Sequence, residues 1–297
     1  TNFIRYMKVL VTGGAGFIGH HLSNILYELG HDVTVWDNLS KGKKERLFCD
    51  VKFQHIDIWE DELPEDTFDA VFHLAAPTSV QESLENPKKY EEGCYLMTTK
   101  LFEWCTNHGV QFFTFASTAS VYGPTDKVPS VETDILDPIS PYAEFKLKSE
   151  EYLMMVSEDT DIQITITRFF NVFGEEQPDS GSYAPAVAIF LKQYYENNPI
   201  TVTGDGKQTR DYIYVKDIVY ALLWTIKEQE YKIEIFNLGT GKEITVLEIA
   251  ETFNHPIVHI EQRKEPRRSL SDCTKANKVL QWETQYNIVD WLKMKLR

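Results

Sequence analysis

The sequence predicts an α/β fold in which a doubly wound parallel sheet is joined to a smaller α/β lobe. Short apolar segments alternate with longer helical patterns up to about residue 168, which is typical of parallel strands connected by right-handed helical crossovers. Most of the segments are largely apolar, as expected for strands covered by helices on both faces. At 297 residues the chain also exceeds the size at which a single core usually stops growing, so two lobes are expected.

Six apolar segments are predicted as strands of the first lobe. They comprise residues 8–11, 33–36, 51–55, 70–74, 112–115 and 162–167. Ligands of such sheets bind beyond the carboxyl ends of the strands. The side chains that follow these segments are therefore the first candidates for a binding site.

The rhythm changes after Asn171, where a second, substrate-binding lobe is predicted. A loop rich in glycine, serine and proline over residues 174–185 precedes a predicted helix at 186–195, and Thr245 with Glu248 has the spacing of a capping box. Residues 212–238 return to the apolar strand pattern of the first lobe, so the two lobes interleave along the chain. We assign residues 1–171 with 212–238 to the first domain and residues 172–211 with 239–297 to the second.

The most informative segment is a glycine-rich turn after the first predicted strand. In T-G-G-A-G-F-I-G, Gly13 allows the tight turn, Gly16 lets a pyrophosphate approach the backbone, and Gly19 lets the following helix pack on the strand. Free N–H groups and the dipole at that helix start favour an anion. Asp37 closes the next apolar run, near the ~20-residue spacing of the acid that bonds an adenosine ribose. Together these features predict a dinucleotide site in a Rossmann-type sheet.

Composition excludes several classes of partner. The net charge of −15 argues against nucleic acid, whose binding proteins usually carry a basic surface. No apolar run approaches the ~18 residues that span a bilayer, and no signal-peptide pattern is present, so we expect no membrane partner and a cytoplasmic location. The four cysteines form no C-x-x-C pair, which favours reduced thiols and no metal site.

Tyr142 and Lys146 stand one helical turn apart and follow Pro141, a residue tolerated in the first turn of a helix. An unperturbed tyrosine, with a pKa of ~10, is a poor base, but a nearby cation favours the phenolate. Such a pair also occurs by chance on surface helices. Because it follows a dinucleotide-binding half, we interpret it as catalytic. Hydroxyls in residues 115–123 follow the fifth strand and could relay a proton, although serine and threonine also favour turns.

These segments, in this order, resemble the extended short-chain dehydrogenase/reductase superfamily, in its nucleotide-sugar epimerase/dehydratase branch. The resemblance spans Lys8 to about Trp282. It rests on residues 12–19, 37–42, 73–76, 117–123, 142–146, 168–174 and 204–212. It implies NAD as cofactor, a UDP-sugar as substrate, and a homodimer formed by a four-helix bundle of helices at about 87–108 and 142–157.

The resemblance also implies a role for individual residues. Tyr142 is the base, Lys146 its electrostatic partner and Thr118 the third catalytic member. The implied cofactor-binding residues are Gly13, Gly16, Phe17, Ile18, Gly19, Asp37, Asn38, Asp57, Ile58, Leu74, Ala75, Ala76, Ser117, Tyr142 and Lys146. The implied substrate-binding residues are Asn171, Arg210, Arg267, Arg268 and Ser269. Asp37 implies NAD over NADP, because a carboxylate repels a 2′-phosphate.

Departures from the family favour 4-epimerisation over dehydration and decarboxylation. Dehydratases of this branch have an Asp-Glu pair where this chain has Ala119 and Ser120, and decarboxylases have a glutamate at position 120. In 4-epimerases the tyrosine takes the proton of the sugar 4-hydroxyl while the hydride of C4 passes to NAD and returns to the other face. A 4-ketoreductase or related oxidoreductase, a dehydratase or decarboxylase, and a member that binds without catalysis remain alternatives.

Ser269 bears on the identity of the sugar. In the family a bulky tyrosine near this position crowds a 2-N-acetyl group, so Ser269 implies UDP-N-acetylglucosamine and UDP-N-acetylgalactosamine, with UDP-glucose and UDP-galactose as further substrates. Residues 181–187 also resemble members that handle N-acetylated sugars. Cys94 stands where the family usually has an asparagine that bonds the backbone near the cofactor. His73 ends a strand, and we expect it to satisfy local groups and not to act as a base.

Overall fold

The computed structural model describes residues 5–125, 127–178, 185–227, 229–262 and 266–297. The strands, in chain order, are β1 (Lys8–Thr12), β2 (Asp32–Asp37), β3 (Lys52–His55), β4 (Ala70–His73), β5 (Phe112–Thr118), β6 (Gln163–Phe169), β7 (Asn171–Phe173), β8 (Ile200–Thr203), β9 (Thr209–Tyr214), β10 (Ile233–Leu238), β11 (Glu243–Thr245) and β12 (Ile257–Ile260). The helices are α1 (Phe17–Glu28), α2 (Val80–Glu85), α3 (Pro87–Tyr90), α4 (Met97–Asn107), α5 (Pro141–Val156), α6 (Ala186–Tyr195), α7 (Val215–Thr225), α8 (Val246–Glu251), α9 (Thr274–Val279) and α10 (Ile288–Lys295).

A seven-stranded sheet in the order β10-β6-β5-β4-β1-β2-β3 confirms the predicted α/β class. The pairs β1–β2, β1–β4, β2–β3 and β4–β5 are parallel. All six strands predicted for the first lobe are present. The largest difference is at β5, which continues to Thr118 where the apolar pattern predicts an end at Phe115. A candidate catalytic hydroxyl therefore lies on the last residue of a buried strand.

Two compact units divide the chain. The first comprises Thr1–Val121, Pro138–Arg168 and Val219–Phe236, and the second comprises Tyr122–Asp137, Phe169–Ile218 and Asn237–Arg297. Compared with the predicted domains, residues 122–137, 169–171, 212–218 and 237–238 group with the second unit.

The core of the first unit is rich in aromatic residues. Trp36 of β2 and Trp104 of α4 lie edge to face with ring centroids 5.2 Å apart, and Phe102 meets Phe113 of β5 in the same way at 5.1 Å. Such pairs contribute roughly 0.5–1.5 kcal/mol beyond the burial of their area. Helix α4 is thus fixed against the sheet at two positions, Phe102 and Trp104.

The helical segment between α3 and α4 contains a π-helical turn at Glu91–Leu96. Turns of this type are rare in proteins, and those that occur are often found at functional sites. Helix α5 begins at Pro141, and the hydroxyl of Ser140 accepts a hydrogen bond from the N–H of Ala143 at 3.2 Å. Proline needs no donor in the first turn, and the serine satisfies one of the others, so the sequence sets where α5 begins.

The second unit contains a sheet in the order β11-β9-β7 and a parallel pair, β8 and β12. Helix α6 has the predicted bounds, and the capping box of Thr245 and Glu248 is present at α8, which ends at Glu251. Residues 179–184 of the predicted loop lie outside the described residues. None of the helices in the described ranges combines the length and apolarity that crossing a membrane requires.

Candidate active site

The glycine turn follows β1 and leads into α1. The N–H of Gly13 donates to the carbonyl of Trp36 at 2.8 Å, and its φ of +67° is one that residues with a side chain rarely adopt. A Cβ on Gly19 would lie 2.1 Å from the carbonyl oxygen of Gly13. Helix α1 has no side-chain cap at Gly16 and no acid in its first turn. Its first N–H groups therefore face the turn, and α1 itself places no carboxylate beside them to oppose an anion.

Asp37 ends β2 beside this turn and is held by backbone donors. Its Oδ2 accepts from the N–H of Ala15 at 3.0 Å and its Oδ1 from the N–H of Leu39 at 2.8 Å. Each carboxylate oxygen has a second lone pair that can accept from a ribose hydroxyl.

Asn38 and Asp57, the next implied cofactor residues, bind each other. The amide of Asn38 donates to Asp57 Oδ2 at 2.8 Å. Burial opposes ionisation of Asp57, but the bonds from Asn38 and from backbone N–H groups hold its pKa below the ordinary value. The side chain of Ile58 is buried in the core of the first unit.

His73 lies in a chain of hydrogen bonds whose direction can be assigned. The hydroxyl of Thr98 donates to the carbonyl of Cys94 at 2.5 Å, so it accepts from His73 Nε2 at 3.0 Å. The other nitrogen, Nδ1, then accepts from the hydroxyl of Thr12 at 2.8 Å, and that oxygen accepts from the N–H of Ala75 at 3.4 Å. Burial lowers the pKa of His73 to about 3. The imidazole is neutral and joins β1, β4 and α4.

Cys94 occupies the position at which the family usually has asparagine. It is fully buried in the π-helical turn, and its thiol donates to the carbonyl of Pro77 at 3.7 Å. A thiol is a weaker donor than an amide. The connection to the loop after β4 is therefore retained in a weakened form.

Tyr142 and Lys146 project from α5 toward the end of β5. Both are buried, at 9% and 3% exposure. The ammonium of Lys146 donates to the carbonyl of Ala116 at 2.8 Å and lies 4.7 Å from the centroid of the Phe115 ring. Because this main-chain carbonyl fixes the ammonium, its effect on the phenol acts through space.

Thr118 connects the strand end to the phenol. Burial raises the pKa of Tyr142 above its ordinary value, and a hydrogen bond with Thr118 opposes that change. The Thr118 oxygen also accepts from the N–H of Ser120 at 3.1 Å, and its hydroxyl donates to Ser120 Oγ at 3.2 Å. A hydroxyl relay of this kind can orient a proton acceptor at the phenol.

The structure adds two charged residues to which sequence reasoning assigned no role, Glu150 on α5 and Arg168 on β6. Their side chains are 0% and 2% exposed, and Arg168 Nη2 donates to Glu150 Oε2 at 2.6 Å. Ser117, implied as a cofactor residue, donates its hydroxyl to Glu150. The spacing of Tyr142, Lys146 and Glu150 by four residues on one helix was the signal that could have revealed the carboxylate.

In the second unit, most of the implied substrate residues lie on adjacent stretches of the main chain. Asn171 of β7 lies opposite Tyr212 of β9, and its amide donates to the carbonyl of Asp211 at 3.3 Å. The N–H of Thr209 donates to the carbonyl of Arg267 at 3.0 Å, which places the 267–269 segment beside the strand that carries Arg210. These positions can form one polar surface.

Two of the implied diphosphate-binding arginines are held by acids of the same unit. Arg267 donates from both terminal nitrogens to the two oxygens of Asp205 at 2.9 Å each, and Arg268 Nη2 lies 2.5 Å from Glu243 Oε1. Arg267 is half exposed, and exposed ion pairs contribute only about 0–1 kcal/mol. An anionic ligand can therefore displace Asp205 and Glu243 from these arginines at a small cost in free energy.

Asp211 fastens the segment that contains Ser269. Fully buried, its carboxylate accepts from the N–H groups of Thr240 at 2.8 Å, Gly241 at 3.1 Å and Ser271 at 3.1 Å. Ser269, two residues before Ser271, is half-buried. In the segment expected to resemble N-acetyl-sugar members, residues 181–184 lie outside the described residues.

Comparison with known proteins identifies relatives that match nearly the whole chain. Residues 9–239 match the model of the NAD dependent epimerase/dehydratase family. The UDP-glucose 4-epimerase of Halalkalibacterium halodurans is 34% identical, covering 94% of this chain and 91% of that protein. UDP-glucuronic acid decarboxylases of Arabidopsis thaliana are also relatives, at 34–35% identity.

Two solved structures have the same fold. The UDP-glucose 4-epimerase of Thermotoga maritima with UDP-glucose is 35% identical, with a TM-score of 0.91 over 98% of this chain and 100% of that one. The UDP-N-acetylglucosamine 4-epimerase of Methanobrevibacter ruminantium is 30% identical, with a TM-score of 0.90 and the same coverage.

Proposed function

Because this chain belongs to the NAD-dependent epimerase/dehydratase family, we propose that it interconverts the C4 epimers of a UDP-sugar with NAD as its cofactor. The observation that carries the proposal is that Tyr142 and Lys146 are buried one turn apart on α5, with the Lys146 ammonium fixed on the Ala116 carbonyl near Thr118, the last residue of β5. Dehydration and decarboxylation require acids in the next positions, where this chain has Ala119 and Ser120.

The residues present fit NAD. The open α1 N-terminus at the glycine turn suits a pyrophosphate, and the Asp37 carboxylate suits an unphosphorylated ribose. Asn38, Asp57 and the backbone at Leu74–Ala76 extend the same edge of the sheet. When bound, NAD supplies reversible acceptance of a hydride at its nicotinamide.

The protein's own groups move and hold the proton. Tyr142 Oη accepts the proton of the substrate 4-hydroxyl and later returns it to the same oxygen. Burial raises the pKa of Tyr142, and a cation beside a phenol favours the phenolate, which is the role proposed for Lys146. Thr118 orients the phenol and the reacting hydroxyl. Epimerisation needs no further acid or base, in agreement with Ala119 and Ser120.

The second unit is proposed to bind the nucleotide diphosphate. Arg210, with Arg267 and Arg268 released from their acids, supplies guanidinium groups, which match phosphate oxygens in geometry and charge. Asn171 supplies an amide donor. The small side chain of Ser269 leaves room for a 2-N-acetyl group, which favours UDP-N-acetylglucosamine and UDP-N-acetylgalactosamine over UDP-glucose and UDP-galactose.

We further propose a homodimer in which α5 and the helical segment of α3 and α4 pair with their copies in a four-helix bundle. The exposed Met154 and Met155 at the end of α5 are consistent with this contact. Sedimentation analysis tests it, since a monomer at micromolar concentration would contradict the bundle.

Replacement of Tyr142 by phenylalanine tests the proposed base. The Tyr142→Phe variant should lose about 10²–10⁴-fold in kcat, the usual contribution of a positioned proton-transfer group, while it retains bound NAD. Tyr152→Phe is the matched control, because this tyrosine lies on the same helix and packs against the core. Turnover of Tyr142→Phe at the rate of the control would exclude Tyr142 as the base.

A further inference from the structure

A buried carboxylate on α5 has no role in the chemistry proposed so far. Tyr142, Lys146 and Glu150 follow one another at intervals of four residues, so they lie on one face of the helix. Of these, Tyr142 and Lys146 are the proposed base and its cationic partner. Glu150 lies on the same face, one helical turn further from the reacting centre.

Two of these three side chains hold neighbouring residues at the end of β5. The ammonium of Lys146 donates to the Ala116 carbonyl at 2.8 Å. Glu150 accepts from the hydroxyl of the next residue, Ser117. Thr118, which opposes the effect of burial on the pKa of Tyr142, follows directly. We propose that Glu150 is a positioning residue, which fixes the end of β5 against α5 through Ser117 and so sets the geometry of the base and its partner.

Arg168 fixes the carboxylate from the opposite side. Its Nε donates to both oxygens of Glu150, at 3.1 and 3.2 Å, and its Nη2 donates to Oε2 at 2.6 Å. The planar guanidinium of Arg168 therefore holds the Glu150 carboxylate against β6, and this contact does not depend on Ser117. On the same strand, the Thr167 hydroxyl donates to the Phe115 carbonyl at 3.1 Å.

Stability alone is a weak reason for this arrangement. Moving two charges out of water costs several kcal/mol per ion, and well-packed apolar side chains of similar volume often serve a core equally well. An ion pair has fixed bond directions, so it can orient a neighbouring segment in a way that apolar packing cannot. Here the oriented segment is the end of β5 between Ala116 and Thr118.

The charge of Glu150 also acts on Lys146, one turn away. Burial lowers the pKa of Lys146, and Glu150 is among the groups that oppose this. A carboxylate at this position thus favours the charged form of the lysine on which the proposed base depends. This effect on the lysine is separate from the positioning of the strand end through Ser117.

The Ser117→Ala variant separates positioning from stability, because it removes one hydroxyl and leaves the Arg168–Glu150 pair intact. This inference rests on the proposed 4-epimerase activity for its kinetic readout. We expect kcat to fall roughly 10- to 100-fold, the loss that a displacement of about 1 Å can cause, with KM for the UDP-sugar unchanged and NAD retained. Ser117→Thr keeps the hydroxyl and should recover most of the rate. Loss of NAD in Ser117→Ala would instead make Ser117 a direct cofactor ligand and overturn the proposal.

A double-mutant cycle tests whether Glu150 acts through Ser117. The Ser117→Ala/Glu150→Gln double variant should lose no more kcat than Glu150→Gln alone, because both changes break the same connection. Glu151→Gln is the matched control, since it makes the same change at the next, exposed position of α5 and should leave kcat unaltered. Additive losses in the cycle would contradict the proposed route.

Titration of Tyr142 tests the inference independently of any sugar. The phenolate absorbance of Tyr142 is obtained as the difference between each protein and its Tyr142→Phe counterpart. Its pKa should rise in Ser117→Ala, which changes no charge near the phenol. If the wild type turns over no UDP-sugar but this shift occurs, the proposed substrate fails and the positioning role stands. If turnover is normal and the variants change only thermal stability, with neither kcat nor the Tyr142 pKa altered, the positioning role is wrong.

Discussion

The neutral His73 makes a prediction about acid stability that can be worked out from the structure. Its Nδ1 must accept from Thr12 and its Nε2 donate to Thr98. Protonation of Nδ1 removes the acceptor and places a charge at a site that is 1% exposed. Burial accordingly lowers the pKa of His73 to about 3, whereas an unfolded histidine has a pKa of about 6.5.

The sign of the effect follows from the depressed pKa. Below pH ~6.5 the unfolded chain binds a proton that the folded chain refuses, so the free energy of unfolding falls by about 1.4 kcal/mol per pH unit from this group. The contribution is fully present above pH ~6.5 and is lost as the pH falls toward 3. At about pH 5 the loss is roughly 2 kcal/mol, and it changes little for any folded pKa below about 4.

Comparison with His73→Gln separates the contribution of His73 to the free energy of unfolding from that of the many carboxylates that also titrate. Glutamine has one acceptor and one donor at the end of its side chain but no charge to gain. Denaturant unfolding of both proteins at about pH 7.5 and about pH 5 should show a decrease that is roughly 2 kcal/mol larger for the wild type. Replacement of the exposed His55 by asparagine should not reduce the decrease. Equal decreases in wild type and His73→Gln would refute the assigned protonation state.

Two further substitutions test the cofactor turn and the sugar pocket. Gly19→Ala places a Cβ 2.1 Å from the Gly13 carbonyl, so the protein should purify with less bound NAD, whereas Gly30→Ala, whose Cβ meets nothing within 4 Å, should keep it. Equal NAD content, measured after denaturation, would contradict the assigned turn. Ser269→Tyr should lower kcat/KM for N-acetylated UDP-sugars selectively, by roughly 10-fold or more, because a ring fills the proposed acetamide space. An unchanged ratio between acetylated and plain sugars would mean that Ser269 does not line that space.

Features encoded in short, contiguous patterns could be predicted from the sequence. The six strands and the capping box at Thr245 were identified by local periodicity and spacing, and the glycine turn by its position between a strand and a helix. The seven-stranded sheet agrees with this interpretation. Local patterns did not reveal that β5 extends to Thr118, because the polar residues at its end interrupt the apolar run while remaining buried.

Interactions between distant parts of the chain could not be predicted in this way. Glu150 and Arg168 are ordinary charged residues in the sequence, and only the packing of α5 on β6 shows that they are buried together. The carboxylate of Asp211 gives no sign in the sequence that three backbone N–H groups converge on it. The acids that hold Arg267 and Arg268 are likewise distant in sequence, at Asp205 and Glu243.

Conversion of a UDP-sugar without added cofactor tests the central claim most directly. The purified protein is incubated separately with UDP-N-acetylglucosamine and UDP-glucose, and proton NMR follows the anomeric and H4 signals. The account predicts that the galacto epimer of at least one sugar appears without added NAD, with the N-acetylated sugar converted faster. Absence of any epimer with either sugar, even after NAD is supplied, would contradict the assignment as a 4-epimerase of these UDP-sugars.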